Sequence, residues 1–221
     1  QKLLMPHGYL LHLSQAKTPP ELATTVAYLR KLRVAGVIGL GMMVRELLPL
    51  RDSGIALIFY GGNSPLGLNV SQVLPERFQA GLEMTRFLIE RGRRNIAFLG
   101  VSHPDEQRFR GYRAALEEAG ILFRPELAVR CGDTMAGGYE FMRDLLAAHP
   151  EVDGIFTHND EIAIGALRAA EEEGVPVPGR LSIGGFDNIE TGRYLRPALT
   201  TVDQPREVFR HIPAYKPGRR A

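Results

Sequence analysis

One cysteine, Cys131, is present in 221 residues. The chain can therefore close no internal disulfide and cannot supply a four-thiolate zinc site. Charge of one sign is also scarce: 27 Lys and Arg against 25 Asp and Glu leave a net +2, too weak a field to hold nucleic acid by bulk charge. Long apolar runs are missing. The longest nearly apolar stretch, residues 34–44, is about half a bilayer span and contains three glycines. The start lacks the charged-then-apolar pattern of an export signal. These absences predict a cytoplasmic protein with no membrane partner. A Gly-x-Ser-x-Gly elbow is lacking as well, and the sequence identifies no base for Cys131, so a hydrolase is unsupported.

What is present is globular composition, 44% hydrophobic and 24% charged, with enough apolar residues for a core. The length suits two lobes of roughly 100 residues each. Short apolar or β-branched runs alternate with helical patterns, as a parallel sheet covered by helices requires. Strands are expected at 9–13, 37–38, 55–60, 68–73, 95–99, 127–130, 154–157, 181–185 and 200–202. Thr18-Pro19-Pro20-Glu21 reads as a capped helix start running to about Arg33. Further helices are expected at 44–51, 75–91, 106–119, 135–149 and 161–173, with Gly92, Gly120 and Gly174 stopping the second, third and fifth. The Gly61-Gly62-Asn63-Ser64-Pro65 cluster reads as a turn, and a break near 101–105 as a lobe boundary. The expected organisation is an incomplete first lobe over 1–100, a second over 101–198, and a segment over 199–221 that returns toward the first lobe and ends in a poorly structured tail from about Val208.

Three clusters invite chemistry. Gly39-Leu40-Gly41-Met42-Met43-Val44 follows a predicted strand and opens a helix, where a dinucleotide fingerprint would sit, but Val44 replaces the third glycine. About 20 residues on, Ile58-Phe59-Tyr60 stands where an acidic residue should hold a ribose. His158-Asn159-Asp160-Glu161 offers metal-ligand types without ligand spacing. Asp160, directly before an apolar-periodic helix, reads more simply as its cap, and His103-Pro104-Asp105 as another helix start. The third cluster lies at the carboxyl ends of predicted parallel strands, outside which ligands bind in open α/β sheets. Asn159 and Asp187 both lie there. Arg108 stands in the first turn of a helix, where the helix dipole gives a cation no benefit. It is either a surface arginine or a ligand holder.

Four motifs then follow in order: Arg108-Phe109-Arg110-Gly111-Tyr112-Arg113-Ala114-Ala115-Leu116; Asp153-Gly154-Ile155-Phe156 leading into Asn159-Asp160-Glu161-Ile162-Ala163-Ile164-Gly165-Ala166; Leu181-Ser182-Ile183-Gly184-Gly185-Phe186-Asp187-Asn188; and Pro197-Ala198-Leu199-Thr200-Thr201-Val202. Together they resemble the sensor domain of the LacI/GalR family of bacterial transcriptional regulators, over residues 87–205, with a looser match before that. The resemblance implies a periplasmic-binding-protein-like (type I) α/β fold of two lobes, with parallel sheets flanked by helices and a small effector in the cleft between the lobes. Carried over by position, it makes Arg108 the arginine that grips the effector, Asn159 the polar residue preceding the helix cap, and Asp187 the aspartate that receives effector hydroxyls. A guanidinium fork and a carboxylate can hold two polar groups of a polyol or sugar acid.

Departures from the family are also plain. Nothing corresponds to the helix-turn-helix of about 60 residues that reads operator DNA, and the first sensor strand has no counterpart before Gln1-Lys2-Leu3. Pro75-Glu76 stands where Asp-Asn is usual, and His211-Ile212-Pro213-Ala214-Tyr215-Lys216-Pro217 replaces the expected dimer helix and closing strands. The expectation is a truncated chain of low solubility or with a loosely packed first lobe. Its resemblance implies a non-enzyme without cofactor or metal, binding a sugar or sugar acid, reaching operator DNA only through the absent helix-turn-helix, and homodimeric when full length. Two rivals stand beside it: a solute-binding protein of a sugar transporter, which would share the fold, and a nucleotide-dependent enzyme built on Gly39 and Gly41.

Overall fold

The computed structural model describes residues 4–40, 45–61, 71–73 and 75–203. The chain forms two compact units, Gln1–Pro75 and Glu76–Ala221, each an α/β arrangement around its own parallel sheet.

In the first unit, α1 (Pro19–Leu32) begins at the predicted cap. Thr18 Oγ1 accepts from the Glu21 N–H, and Glu21 reaches back to accept the Lys17 N–H at 2.7 Å. The apolar positions Leu22, Val26 and Leu29 recur at helical spacing and are buried. They pack with Leu50 of α2 (Leu48–Asp52) and with Leu57 and Phe59 of β2 (Ala56–Tyr60). The sheet runs β1 (Gly36–Leu40), β2, β3 (Ser71–Val73), all parallel.

Two expectations fail here. Residues 9–13 form no strand, and Leu10 and Leu13 are more than 80% exposed. The Val37-Ile38 run is wholly apolar, as in a buried strand, yet β1 lies at the edge of the described sheet with Ile38 and Leu40 exposed. An alternating apolar run becomes a strand only where a neighbouring strand can accept its backbone hydrogen bonds, and residues 9–13 have no such neighbour among the described residues. The Gly62–Pro65 part of the turn cluster, Gly41 to Val44 and the segment from 204 onward lie outside the described residues.

The second unit contains α3 (Arg77–Glu90), β4 (Ile96–Gly100), α4 (Gln107–Glu118), β5 (Ala128–Arg130), α5 (Met135–Ala148), β6 (Gly154–Thr157), α6 (Asp160–Glu172), β7 (Ser182–Phe186) and β8 (Thr200–Val202). The boundary between units thus falls upstream of the 101–105 segment that the sequence suggested. That segment joins β4 to α4 within a single sheet-and-helix layer system. The strand order is β5-β4-β6-β7-β8, all parallel.

Alternation along the strands divides the core. Ala97, Leu99, Ile155 and Ile183 face Met142, Leu145, Ile162 and Ala166 of the α5–α6 layer. Ile96, Phe98, Phe156 and Phe186 face Met84, Leu88, Phe109 and Tyr112 of the α3–α4 layer. Tyr112 is fully buried and satisfies its hydroxyl by donating to the Ile96 carbonyl at 2.8 Å.

Each helix pair closes on glycines. A Cβ on Gly111 would enter the Phe78 carbonyl oxygen, and one on Gly165 the Met135 carbonyl oxygen. Cys131 is buried in the α5–α6 core, and desolvation together with the Asp133 charge pushes its thiol up to about 11. Among the described residues, no helix is long and apolar enough to cross a membrane and no group of His, Cys, Asp and Glu has metal-holding geometry.

Candidate functional site

With β5 on one side of β4 and β6 on the other, the chain reverses its direction of travel across the sheet between β4 and β6. In open α/β sheets a ligand crevice forms at such a reversal point, outside the carboxyl ends of the strands. The residues after β4 and after β6 meet there.

Glu106 is the N-cap of α4, its Oε2 accepting the Phe109 N–H at 2.8 Å. Its Oε1 accepts from Arg108 Nε, also at 2.8 Å. Arg108 Nη1 donates to the His158 carbonyl at 2.8 Å, and its Nη2 donates to His158 Nε2. His158 Nδ1 lies 3.2 Å from Asp133 Oδ1 at the end of β5. The Arg108 guanidinium also sits over the Phe186 ring, 4.9 Å from its centroid. Gly100, at φ +146°, leaves room for this arrangement, because a Cβ there would collide with His158.

Glu106, Arg108 and His158 are all buried. Burial opposes ionisation of Glu106. The His158 imidazole 3.5 Å away, the Arg108 charge and the Phe109 N–H outweigh that penalty and hold its carboxyl down at about 2. A carboxyl depressed on folding stabilises the native state above its unfolded pKa of 4.5 and loses that contribution as pH falls toward 2. Acid titration of unfolding free energy should therefore show a loss of about 3 kcal/mol over this window. Glu106→Gln should flatten that limb, and an identical limb in the variant would refute the assignment.

The predicted site residues are distributed around this cluster. Arg108 is no surface arginine: it is fixed at the crevice. Asn159, not Asp160, caps α6, its side chain accepting the Ile162 N–H at 2.8 Å. The cap reading of Asp160 is thereby corrected. Asp160 is instead fully buried, accepting from Thr201 Oγ1 at 2.6 Å and from the Ile189 N–H at 2.8 Å. Burial, with Asp187 nearby, pushes its carboxyl up against these two hydrogen bonds. It ties β8 and the loop after β7 to the start of α6.

Asp187 is half-buried and directly follows Phe186, on which Arg108 stacks. Its N–H donates to the Val202 carbonyl at 3.0 Å. Asp187 and Asn188 both have positive φ, +110° and +49°, a conformation that Asp and Asn tolerate better than bulkier residues and that recurs where a chain is held for function. Glu106 and Asp133 carried no functional signal in the sequence, and His158 stood out only in a cluster without ligand spacing; the strand order brings the three together. Gly39 is explained by packing, since a Cβ there would press on Leu47 and Phe59 at 2.7 and 2.8 Å. Gly41 and Val44 lie outside the described residues.

The family model for the periplasmic binding protein-like domain matches residues 85–209. The transcriptional repressor PurR of Erwinia tasmaniensis is 35% identical over 212 residues, covering 90% of this chain and 61% of the relative. The chain thus spans about three fifths of the length of the curated relatives it matches. Among solved structures, a CelR transcriptional regulator in complex with cellobiose superposes with a TM-score of 0.82 at 31% identity, covering 93% of this chain and 64% of that one. A sugar-binding LacI-family regulator from Escherichia coli complexed with phosphate gives 0.79 at 30% identity, covering 92% and 76%. The chain belongs to the periplasmic binding protein-like domain family, in its LacI/GalR-type branch.

Proposed function

We propose that this chain is the effector-binding part of a LacI-type transcriptional repressor of the cytoplasm, taking a sugar or sugar acid at the carboxyl ends of β4, β6 and β7. One observation supports the reading: a buried arginine, Arg108, donates to the His158 carbonyl beside the sheet's reversal point and stacks on Phe186, the residue before Asp187. Arg108 and Asp187 contact the effector directly, and Asn159 offers its remaining amide hydrogens while capping α6.

The relatives and structural neighbours are transcriptional regulators, which favours this reading over a transporter's solute-binding protein and over an enzyme. Operator DNA and a second copy of the chain are its macromolecular partners. Effector binding then changes the joint operator affinity of the two copies.

Titration calorimetry against a panel of sugars and sugar acids tests the site. Asp187→Ala should weaken the best binder at least tenfold, the loss expected when a buried hydroxyl loses its acceptor. Unchanged affinity in that variant would overturn the assignment.

A further inference from the structure

The charge balance of the crevice reaches past the choice between sugar and sugar acid. An arginine at a binding site ordinarily reads as a countercharge for an anion. Arg108 is differently placed, because its Nε already donates to Glu106 at 2.8 Å, and Glu106 is 3% exposed and so cannot be screened or displaced by water. The second carboxylate of the cluster, Asp133, stands 3.2 Å from the imidazole that accepts from the same guanidinium. The cluster therefore places two carboxylates, Glu106 and Asp133, around the Arg108 cation and the His158 ring.

Of the five N–H hydrogens of Arg108, one goes to Glu106, one to the His158 carbonyl and one to His158 Nε2. Two are left to donate to a ligand oxygen. A hydroxyl can accept them without bringing charge, whereas a carboxylate would enter a cluster with no uncompensated positive charge to meet it.

We infer that Glu106 is a specificity-determining residue: by compensating the Arg108 guanidinium it sets the crevice for an uncharged polyhydroxy compound and against the matching sugar acid. Arg108 acts as a directional donor, and Asp133 reinforces the bias from the rim, where it is 54% exposed in its side chain. The inference rests on the effector-binding reading above.

The test uses the 221-residue chain in titration calorimetry with matched pairs: glucose against glucuronate and gluconate, and galactose against galacturonate. The neutral member of any pair that binds should bind at least tenfold tighter than its acid. Glu106→Gln keeps an oxygen for the Phe109 N–H but removes the charge, and should shift the neutral-to-acid ratio toward the acid by about tenfold. Asp133→Asn, at an exposed position with no packing role, should shift it the same way by severalfold even if the Glu106 variant folds poorly. Preference of the unaltered chain for the acid, or a ratio unmoved by both variants, overturns the inference while leaving effector binding intact. Failure of every compound to bind instead overturns the effector reading itself, and this inference with it.

Discussion

Arg108→Ala is expected to cost the second unit about 3–5 kcal/mol, the largest effect of any side-chain truncation at the crevice. The reason is what remains. Glu106 stays buried as the cap of α4 and keeps its Phe109 N–H, but it loses the cation that offsets its desolvation. His158 loses the donor on Nε2, and its carbonyl loses a partner. In a unit of this size such a loss lowers Tm by roughly 10 °C. A double variant, Arg108→Leu with Glu106→Leu, removes both charges together and should recover part of the stability, because an absent pair costs less than half of one. Differential scanning calorimetry of the three proteins decides: a single variant within about 1 kcal/mol of the parent would show that Arg108 is not electrostatically coupled to Glu106.

Gly165→Ala should be comparably damaging, and its sign runs against local propensity. In an exposed helix, Gly to Ala gains about 1 kcal/mol. Gly165 lies inside α6 where α5 crosses it, and an added Cβ would overlap the Met135 carbonyl oxygen and stand 2.7 Å from the Tyr139 nitrogen. Both obstacles are backbone and cannot rotate away, so the helices must separate and open the layer formed by Met142, Leu145, Ile162 and Ala166. The expected net loss is about 3 kcal/mol. Gly179→Ala, where the nearest atom is Pro176 Cβ at 3.5 Å, is the control and should stay within about 0.5 kcal/mol of the parent. Chemical denaturation of both variants measures the difference. A Gly165→Ala protein as stable as the control would mean that the two helices are not in backbone contact.

The same two residues show how far the sequence can be read. α6 was legible from its apolar spacing and its Gly174 stop, and the strands at 95–99, 154–157 and 181–185 from short apolar runs between turn signals; each was found to within a residue or two. What misled was local sufficiency. Residues 9–13 have strand composition, but strand formation needs a partner, and Asp160 has cap composition, but the cap went to Asn159 because Asp160 found better acceptor geometry with Thr201 and Ile189.

By itself the sequence determined most of the element order, the parallel character of the sheets, and the positions of Asn159 and Asp187 at strand ends and of Arg108 in the first turn of a helix, because periodicity, caps and glycine stops act over a few residues. Only the tertiary structure decided that Glu106, His158 and Asp133 surround Arg108, since residues up to 52 apart meet through strand order and not through spacing. It likewise decided which glycines are indispensable. Charge compensation and backbone contact are properties of neighbours in space, and these neighbours are fixed by how the layers pack.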